Sequence, residues 1–254
     1  MVGDKGLACM KTTKPLGHPS YGSIPHLPGS RLGSGDHHIN EGQARILTVK
    51  TRDRHDLVIV QEKLDGSNVG VAKLDGEIVP LMRAGYRAIE SHFAQHHHFH
   101  NWVMQRLEYF DCLLEEGERA CGEWLMQAHG TRYHLFHEPF VIFDIMRDES
   151  RVAWEETYLR CLQLDFQTPR VLHEGGAISI DFAMKELGEF GHHGAQDPAE
   201  GAVWRVERKG ECQFLAKYVR PDKVDGKYLE AVSGQPPVWN YVPEWMAQPQ
   251  GVTQ

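Results

Sequence analysis

The stretch Glu62-Lys63-Leu64-Asp65-Gly66-Ser67-Asn68 comes one residue after the apolar run Leu57-Val58-Ile59-Val60. The β-branched run reads as a strand and Asp-Gly as a tight turn. A lysine at the end of a strand that dives into a turn has its amine delivered to a fixed place, which is what a covalent nucleophile needs. Asp65 is placed to orient that amine, and Gly66 supplies permissive backbone for the turn. A free lysine has a pKa of about 10.4, so its neutral form costs about 4.6 kcal/mol near pH 7. Neighbouring cations or a bound divalent metal lower that cost; Arg83, Lys217 and Arg220 are the cations on offer.

Outward from this stretch, residues 1–56 are rich in Gly, Pro, Ser and His, with Pro15, Pro19, Pro25 and Pro28 breaking regular elements. They read as a loop-rich lead-in. From Leu57 the pattern turns to strands: Leu57 to Lys63, Asn68 to Leu74 and Glu77 to Met82, the last two joined by the hairpin turn Asp75-Gly76. Ile89, Phe93, Val103, Leu107, Phe110 and Leu114 recur at helical spacing and predict an amphipathic helix over 89–114, stopped by Gly117. Strands at Arg119 to Met126 and Phe140 to Met146 follow, then helices near 154–166 and 179–188. A second hairpin pairs Gly201 to Glu207 with Cys212 to Val219, turned at Lys209-Gly210. Hairpin-joined strands interrupted by helices predict an α+β fold of mainly antiparallel sheets flanked by helices. No internal repeat or low-complexity tract is visible.

At 254 residues and 41% hydrophobic content the chain has enough apolar material for a real core. No apolar run is long enough to span a bilayer and no secretory signal is visible, so the expected location is cytoplasmic. Five cysteines, widely spaced and without a Cys-x-x-Cys pair, read as reduced and inert. A formal charge of -8 argues against wrapping nucleic acid with the entire surface. A local basic groove has its candidates in Arg45, Lys50, Arg52 and Arg54, and in Arg205, Arg208, Lys209, Lys217, Arg220 and Lys223. His92 and His96 would share a helical face within the cluster that includes His96-His97-His98 and His100. Without an acidic or cysteine partner at suitable spacing they read as solvated or locally paired rather than as a metal site. Walker-type phosphate loops are absent.

Lys-x-Asp-Gly alone is a weak pattern, but an ordered set follows it. Leu81-Met82-Arg83-Ala84-Gly85 ends a strand. Cys121-Gly122-Glu123-Trp124-Leu125 and Val141-Ile142-Phe143-Asp144-Ile145 put carboxylates into apolar strands. Glu200-Gly201-Ala202-Val203-Trp204 and Phe214-Leu215-Ala216-Lys217-Tyr218 complete it. In this order the motifs resemble those of the ATP-dependent RNA ligases, nearest to the RNA ligase 2-like group of the lysyl-AMP nucleotidyltransferases. Ser23-Ile24-Pro25-His26-Leu27 is similar to the lead-in of such ligases, and the resemblance spans roughly residues 20–223.

The resemblance implies an AMP-forming RNA ligase in which Lys63 attacks the α-phosphorus of ATP and carries AMP. It implies that Glu62 faces the adenine amino group, that Asn68 and Arg83 sit near ribose and phosphates, and that Glu123 accepts from a ribose hydroxyl. Phe143 would stack on adenine, and Lys217 would contact the α-phosphate. Glu200, with Glu123, would help hold Mg²⁺ or Mn²⁺. AMP would then move to a 5′-phosphate and be displaced by a 3′-hydroxyl. The expected partners are RNA ends in a single strand or nicked duplex, with DNA ends and a helper protein as further candidates.

Two departures stand out. The last motif of the family commonly has two lysines separated by one residue, whereas Lys217 is followed by Tyr218 and Val219, with Arg220 the nearest cation. The segment after Lys217 is also short and carries Pro236, Pro237, Pro243 and Pro249. The expected organisation is therefore a lead-in over 1–56 packed on a catalytic domain at 57–225. A short tail at 226–254 follows, with no separate OB-type or helical domain. The alternatives are a DNA ligase, a capping-type nucleotidyltransferase, or a non-catalytic end-binding module with a degenerate pocket.

Overall fold

Leu64, Asp65 and Gly66 carry the chain from one β-sheet to another in the computed structural model, which describes residues 13–241. Ahead of that crossing lie helix α1 (Glu41–Thr48) and strand β1 (Asp56–Lys63); after it come β2 (Ser67–Leu74) and β3 (Glu77–Met82). A 3-10 turn at Ala88–Glu90 leads into α2 (Ala94–Met104) and α3 (Leu107–Leu113). Strands β4 (Glu118–Trp124), β5 (Phe140–Arg147) and β6 (Ser150–Arg151) precede α4 (Trp154–Gln163), β7 (Val171–Gly175) and α5 (Ile180–Leu187). The hairpin β8 (Gly201–Arg208) and β9 (Glu211–Val219) and the short α6 (Glu230–Ser233) complete the order.

The pairings are antiparallel throughout, in a four-stranded sheet of order β7-β1-β8-β9 and a five-stranded sheet of order β3-β2-β4-β5-β6. This is the expected α+β arrangement of antiparallel sheets with flanking helices. Both predicted hairpins turn where Asp-Gly and Lys-Gly stand. Asp75 and Gly76, and likewise Lys209 and Gly210, have positive φ at both central positions, the backbone that matches strand twist.

Each sheet buries an outer face. On the four-stranded sheet Val58, Val60, Trp204, Val206 and Ala216 pack with Leu27 and with Ala44 and Leu47 of α1. On the five-stranded sheet Val69, Val71, Trp124, Phe140 and Ile142 meet Phe99, Trp102, Phe110 and Leu113 from α2 and α3. Since side chains alternate along a strand, the inner faces look at each other and carry the polar residues. Arg205, 1% exposed, crosses between them to Asp144 on β5, while its Nε bonds Glu207 at 2.5 Å. It is an internal clamp and not the groove cation expected from sequence.

Three expectations change here. The single helix over 89–114 is interrupted before Ala94 and again at Gln105-Arg106, so that both pieces lay their aromatic residues on the same sheet. Arg106 stabilises the second break by bonding the Trp102 carbonyl and stacking 4.3 Å from the Trp102 ring. Within the lead-in, α1 forms because Asn40 caps it, accepting from Gln43 N–H at 2.8 Å, and because Ala44 and Leu47 find an apolar sheet. Strand β7, with the polar residues His173 and Glu174, forms by pairing with β1 at the sheet edge.

The rest of the described lead-in runs across both sheets. The Ser20 carbonyl accepts from Arg119 Nε at 2.7 Å and Tyr21 donates to Asp144 at 2.5 Å, while Leu27 N–H reaches the Lys217 carbonyl at 2.8 Å. The segment after β9 folds back along 125–133, with Asn240 bonded to Leu125 and Tyr133. Cys9, Pro243 and Pro249 lie outside the described residues. Among the described residues no helix is long and apolar enough to cross a membrane.

Candidate active site

Between the inner faces lies a cleft of about 480 Å³, the volume of a small-molecule site. Gln61, Lys63, Val203, Leu215 and Lys217 line it from one sheet, and Asn68, Glu123 and Phe143 from the other. Met82 and Arg83 close one end, and Tyr21 and Ile24 of the lead-in cover a flank.

Strand register explains most of this gathering. Lys63 stands opposite Gly201, so Glu200 enters β8 beside it, and Nζ donates to Glu200 Oε2 at 2.6 Å. Val203 is opposite both Gln61 and Lys217, which puts those three in one row across the sheet. Asn68 is opposite Glu123 on the facing sheet, and Glu123 Oε1 accepts from Gly66 N–H at 2.9 Å. The crossing turn is thereby tied to the cleft floor. Gly66 is needed for closeness: a Cβ there would lie 2.5 Å from the Trp124 carbonyl oxygen. Its role is this close approach, since Gly66 is not among the glycines with positive φ.

The electrostatics reverse one expectation. Burial works to lower the Lys63 pKa, but the carboxylates of Glu200, Glu123 and Asp65 outweigh it and hold the amine above its ordinary value. Arg83 and Lys217 border the same cleft but do not prevail. Burial pushes Glu123 up to about 7 against the pull of Lys63, and it raises Glu200 as well. Burial, with Lys63 nearby, lowers Lys217, which Asp36 partly compensates from 3.6 Å.

Four other residues are not placed as expected. Asp65 turns from Lys63 to Lys223, accepting from its Nζ at 2.6 Å and from Gly130 N–H at 2.9 Å. Lys223, only 8% exposed and also bonded to Thr131, is thus an internal partner of the motif, where sequence offered it only as a surface cation. Arg220 follows the end of β9, is held by Asp222 at 3.2 Å, and borders a separate small cavity. It does not line the main cleft. Glu62 borders the cleft, but its carboxylate is committed to His192 N–H at 2.9 Å, and burial raises it to about 7. Of the basic groove candidates, Arg208 is bound to Asp56 and Arg52 to Gln213, and Lys217 alone of the set lines the cleft.

Residues that sequence reasoning missed include Gln61. Period-two alternation from Lys63 would have found it. Its Nε2 is buried and has no partner among the described residues, and Asn68 Oδ1 is in the same state. Unmet polar atoms on a cleft wall are what a bound polar ligand satisfies.

Two antiparallel sheets flanked by helices close on a cleft that holds a lysine at the end of a strand, a fold shared with solved RNA ligases. Residues 56–219 match the RNA ligase family model, and the chain belongs to the RNA ligase family. Among solved structures, a lysine-to-methionine mutant of Naegleria gruberi RNA ligase with AMP and Mn is 14% identical, covering 82% of this chain and 62% of its own, with a TM-score of 0.50. A glutamate-to-alanine mutant of the same protein with ATP and Mn is 15% identical, covering 77% of this chain and 59% of its own, at a TM-score of 0.50. An archaeal ATP-dependent RNA ligase is 21% identical over 65% of this chain and 43% of its own, at 0.43. The chain therefore spans 43% to 62% of the length of these structures. No curated protein matches it.

Proposed function

We propose that the chain is an ATP-dependent ligase of the RNA ligase 2-like kind, joining 5′-phosphate to 3′-hydroxyl RNA ends through AMP carried on Lys63. The observation that carries this reading is the Lys63 amine on the cleft floor, 2.6 Å from Glu200 and between facing walls that supply Glu123, Phe143 and Lys217. Family membership supports RNA ends as the substrate. Solved relatives described with ATP or AMP and Mn support the nucleotide and a divalent ion.

In the first step the Lys63 nitrogen forms a bond to the α-phosphorus, the bond to the β-phosphate oxygen breaks, and pyrophosphate leaves. Nζ sheds its proton to solvent. Phe143 offers an aromatic face to the purine and Lys217 a cation to the α-phosphate. Glu123 accepts from a ribose hydroxyl, and Asn68 and Arg83 border the sugar and phosphates. Then a 5′-phosphate oxygen attacks the same phosphorus and Lys63 is released. Finally a 3′-hydroxyl displaces AMP and seals the strand.

The donor set suits a hard divalent cation. Glu200 and Glu123 are oxygen ligands with raised pKa values that flank Lys63. No preformed group of three such ligands exists among the described residues, so phosphates and water would complete the shell. When bound there, the ion supplies charge neutralisation that frees Lys63 from the carboxylates holding it protonated.

Incubation with α-labelled ATP and Mg²⁺ tests the reading. Label that survives alkali but is released by acid is expected on the wild type and none on Lys63→Ala; label that persists in Lys63→Ala rules it out. Effective competition by GTP would point to capping chemistry, and preferential sealing of DNA ends to a DNA ligase.

A further inference from the structure

Of the two readings of the histidine cluster, solvated or locally paired, His96 takes the second: it is 8% exposed, lines the cleft and bonds Ser91 five residues earlier. His92 precedes α2 and so does not share its face. The His96 ring sits between two hydroxyls, Nδ1 2.6 Å from Ser91 Oγ and Nε2 2.8 Å from Ser67 Oγ. The core holds it there, since Trp124 Nε1 donates at 3.0 Å to the carbonyl of the adjacent Gln95.

The direction of these bonds follows from the surroundings of Ser91. Ser91 Oγ already accepts from Phe93 N–H at 3.1 Å, and the Ser91 carbonyl accepts from His97 Nε2. The buried Ser91 hydroxyl hydrogen has His96 Nδ1 as its acceptor. A neutral ring that accepts at Nδ1 carries its hydrogen on Nε2. That hydrogen is donated to Ser67 Oγ, which leaves the Ser67 hydroxyl hydrogen free for the cleft. Ser67 lines the cleft four residues beyond Lys63.

We infer that Ser67 is a donor to a phosphoryl oxygen bound in the cleft, and that His96, backed by Ser91, is the positioning residue that keeps its hydrogen pointed outward. This rests on the reading of the cleft as a nucleotide and RNA-end site. Burial, with His129 and His97 adding to it, lowers the His96 pKa to about 4, so the ring stays neutral at ordinary pH. The oxygen belongs either to the phosphate chain of the nucleotide or to the 5′-phosphate of a strand.

Binding without reaction separates these. Affinities are measured for α,β-methylene ATP against adenosine, and for a 5′-phosphorylated oligoribonucleotide against its 5′-hydroxyl counterpart. Ser67→Ala and His96→Leu should each weaken one phosphorylated ligand on the order of tenfold while leaving its unphosphorylated counterpart unchanged. The double variant should be no weaker than either single one. His96→Gln, whose amide N–H replaces Nε2–H, should restore most of the affinity. Loss for the ATP analogue assigns the nucleotide phosphates, and loss for the oligoribonucleotide assigns the strand. Equal affinities in wild type and Ser67→Ala for both phosphorylated ligands, or multiplicative effects of the two substitutions, would overturn the inference. If His96→Leu fails to fold, Ser67→Ala carries the test alone. Failure of the underlying reading shows separately, as absence of label on wild-type Lys63.

Discussion

Glu62 and Gln61 stand next to Lys63 and make separable predictions. Burial lifts the Glu62 carboxyl from its ordinary range to about 7, with one compensating bond from His192 N–H. Between an unfolded value of about 4.5 and the folded value the native state holds the extra proton, so this group's contribution favours folding at low pH and is lost as pH rises through 7. Glu62→Gln should match the wild type near pH 4.5 and exceed it at pH 8 by roughly 1–3 kcal/mol in urea unfolding. A constant difference across that range would refute the assignment. For Gln61, Leu is a close apolar substitute that removes a buried donor lacking a partner. Gln61→Leu should raise unfolding stability slightly, by about 1 kcal/mol, yet weaken ATP binding about tenfold in titration calorimetry. Unchanged ATP affinity would mean that the donor meets nothing on the nucleotide. Neither role was visible in the motif itself, because the motif singles out Glu62, whose carboxylate is engaged elsewhere, and passes over Gln61.

The crossing turn is the element on which the site depends. Gly66→Ala would bring a Cβ against the Trp124 carbonyl, which belongs to backbone and cannot swing aside. A loss of about 1–3 kcal/mol is expected from chemical denaturation, together with slower reaction at the displaced Lys63. Wild-type stability in Gly66→Ala would contradict this packing. Elements with strong local signals were legible from sequence: β1 to β3 and both hairpins. Strand β7 was not, because His173 and Glu174 break its apolar pattern and its pairing partner β1 lies over a hundred residues earlier. The Asn40–Gln43 cap of α1 was present but masked by the surrounding prolines and glycines. The helix over 89–114 had its apolar face right at Val103, Phe110 and Leu114 but not at Ile89, Phe93 and Leu107, which are exposed, and its continuity wrong, since tertiary packing and not Gly or Pro sets its breaks.

For the whole molecule, the decisive property is that each sheet packs an apolar core against its own helices while the inner faces of the two sheets meet across the cleft. Arg205 bridges them, and Arg205→Met would leave Asp144 and Glu207 buried without their shared cation. A loss on the order of 3–5 kcal/mol is expected, seen as a lowered Tm. The convergence at the cleft could not be read from spacing, because Glu123 and Phe143 of the facing sheet and His96 of α2 meet Lys63 only in the tertiary fold. The same closure makes the central claim directly measurable: after reaction with ATP and Mg²⁺, proteolysis and mass spectrometry should locate one AMP adduct on the peptide that contains Lys63, reversed by added pyrophosphate. An adduct on another residue, or full RNA sealing by Lys63→Ala, would contradict it.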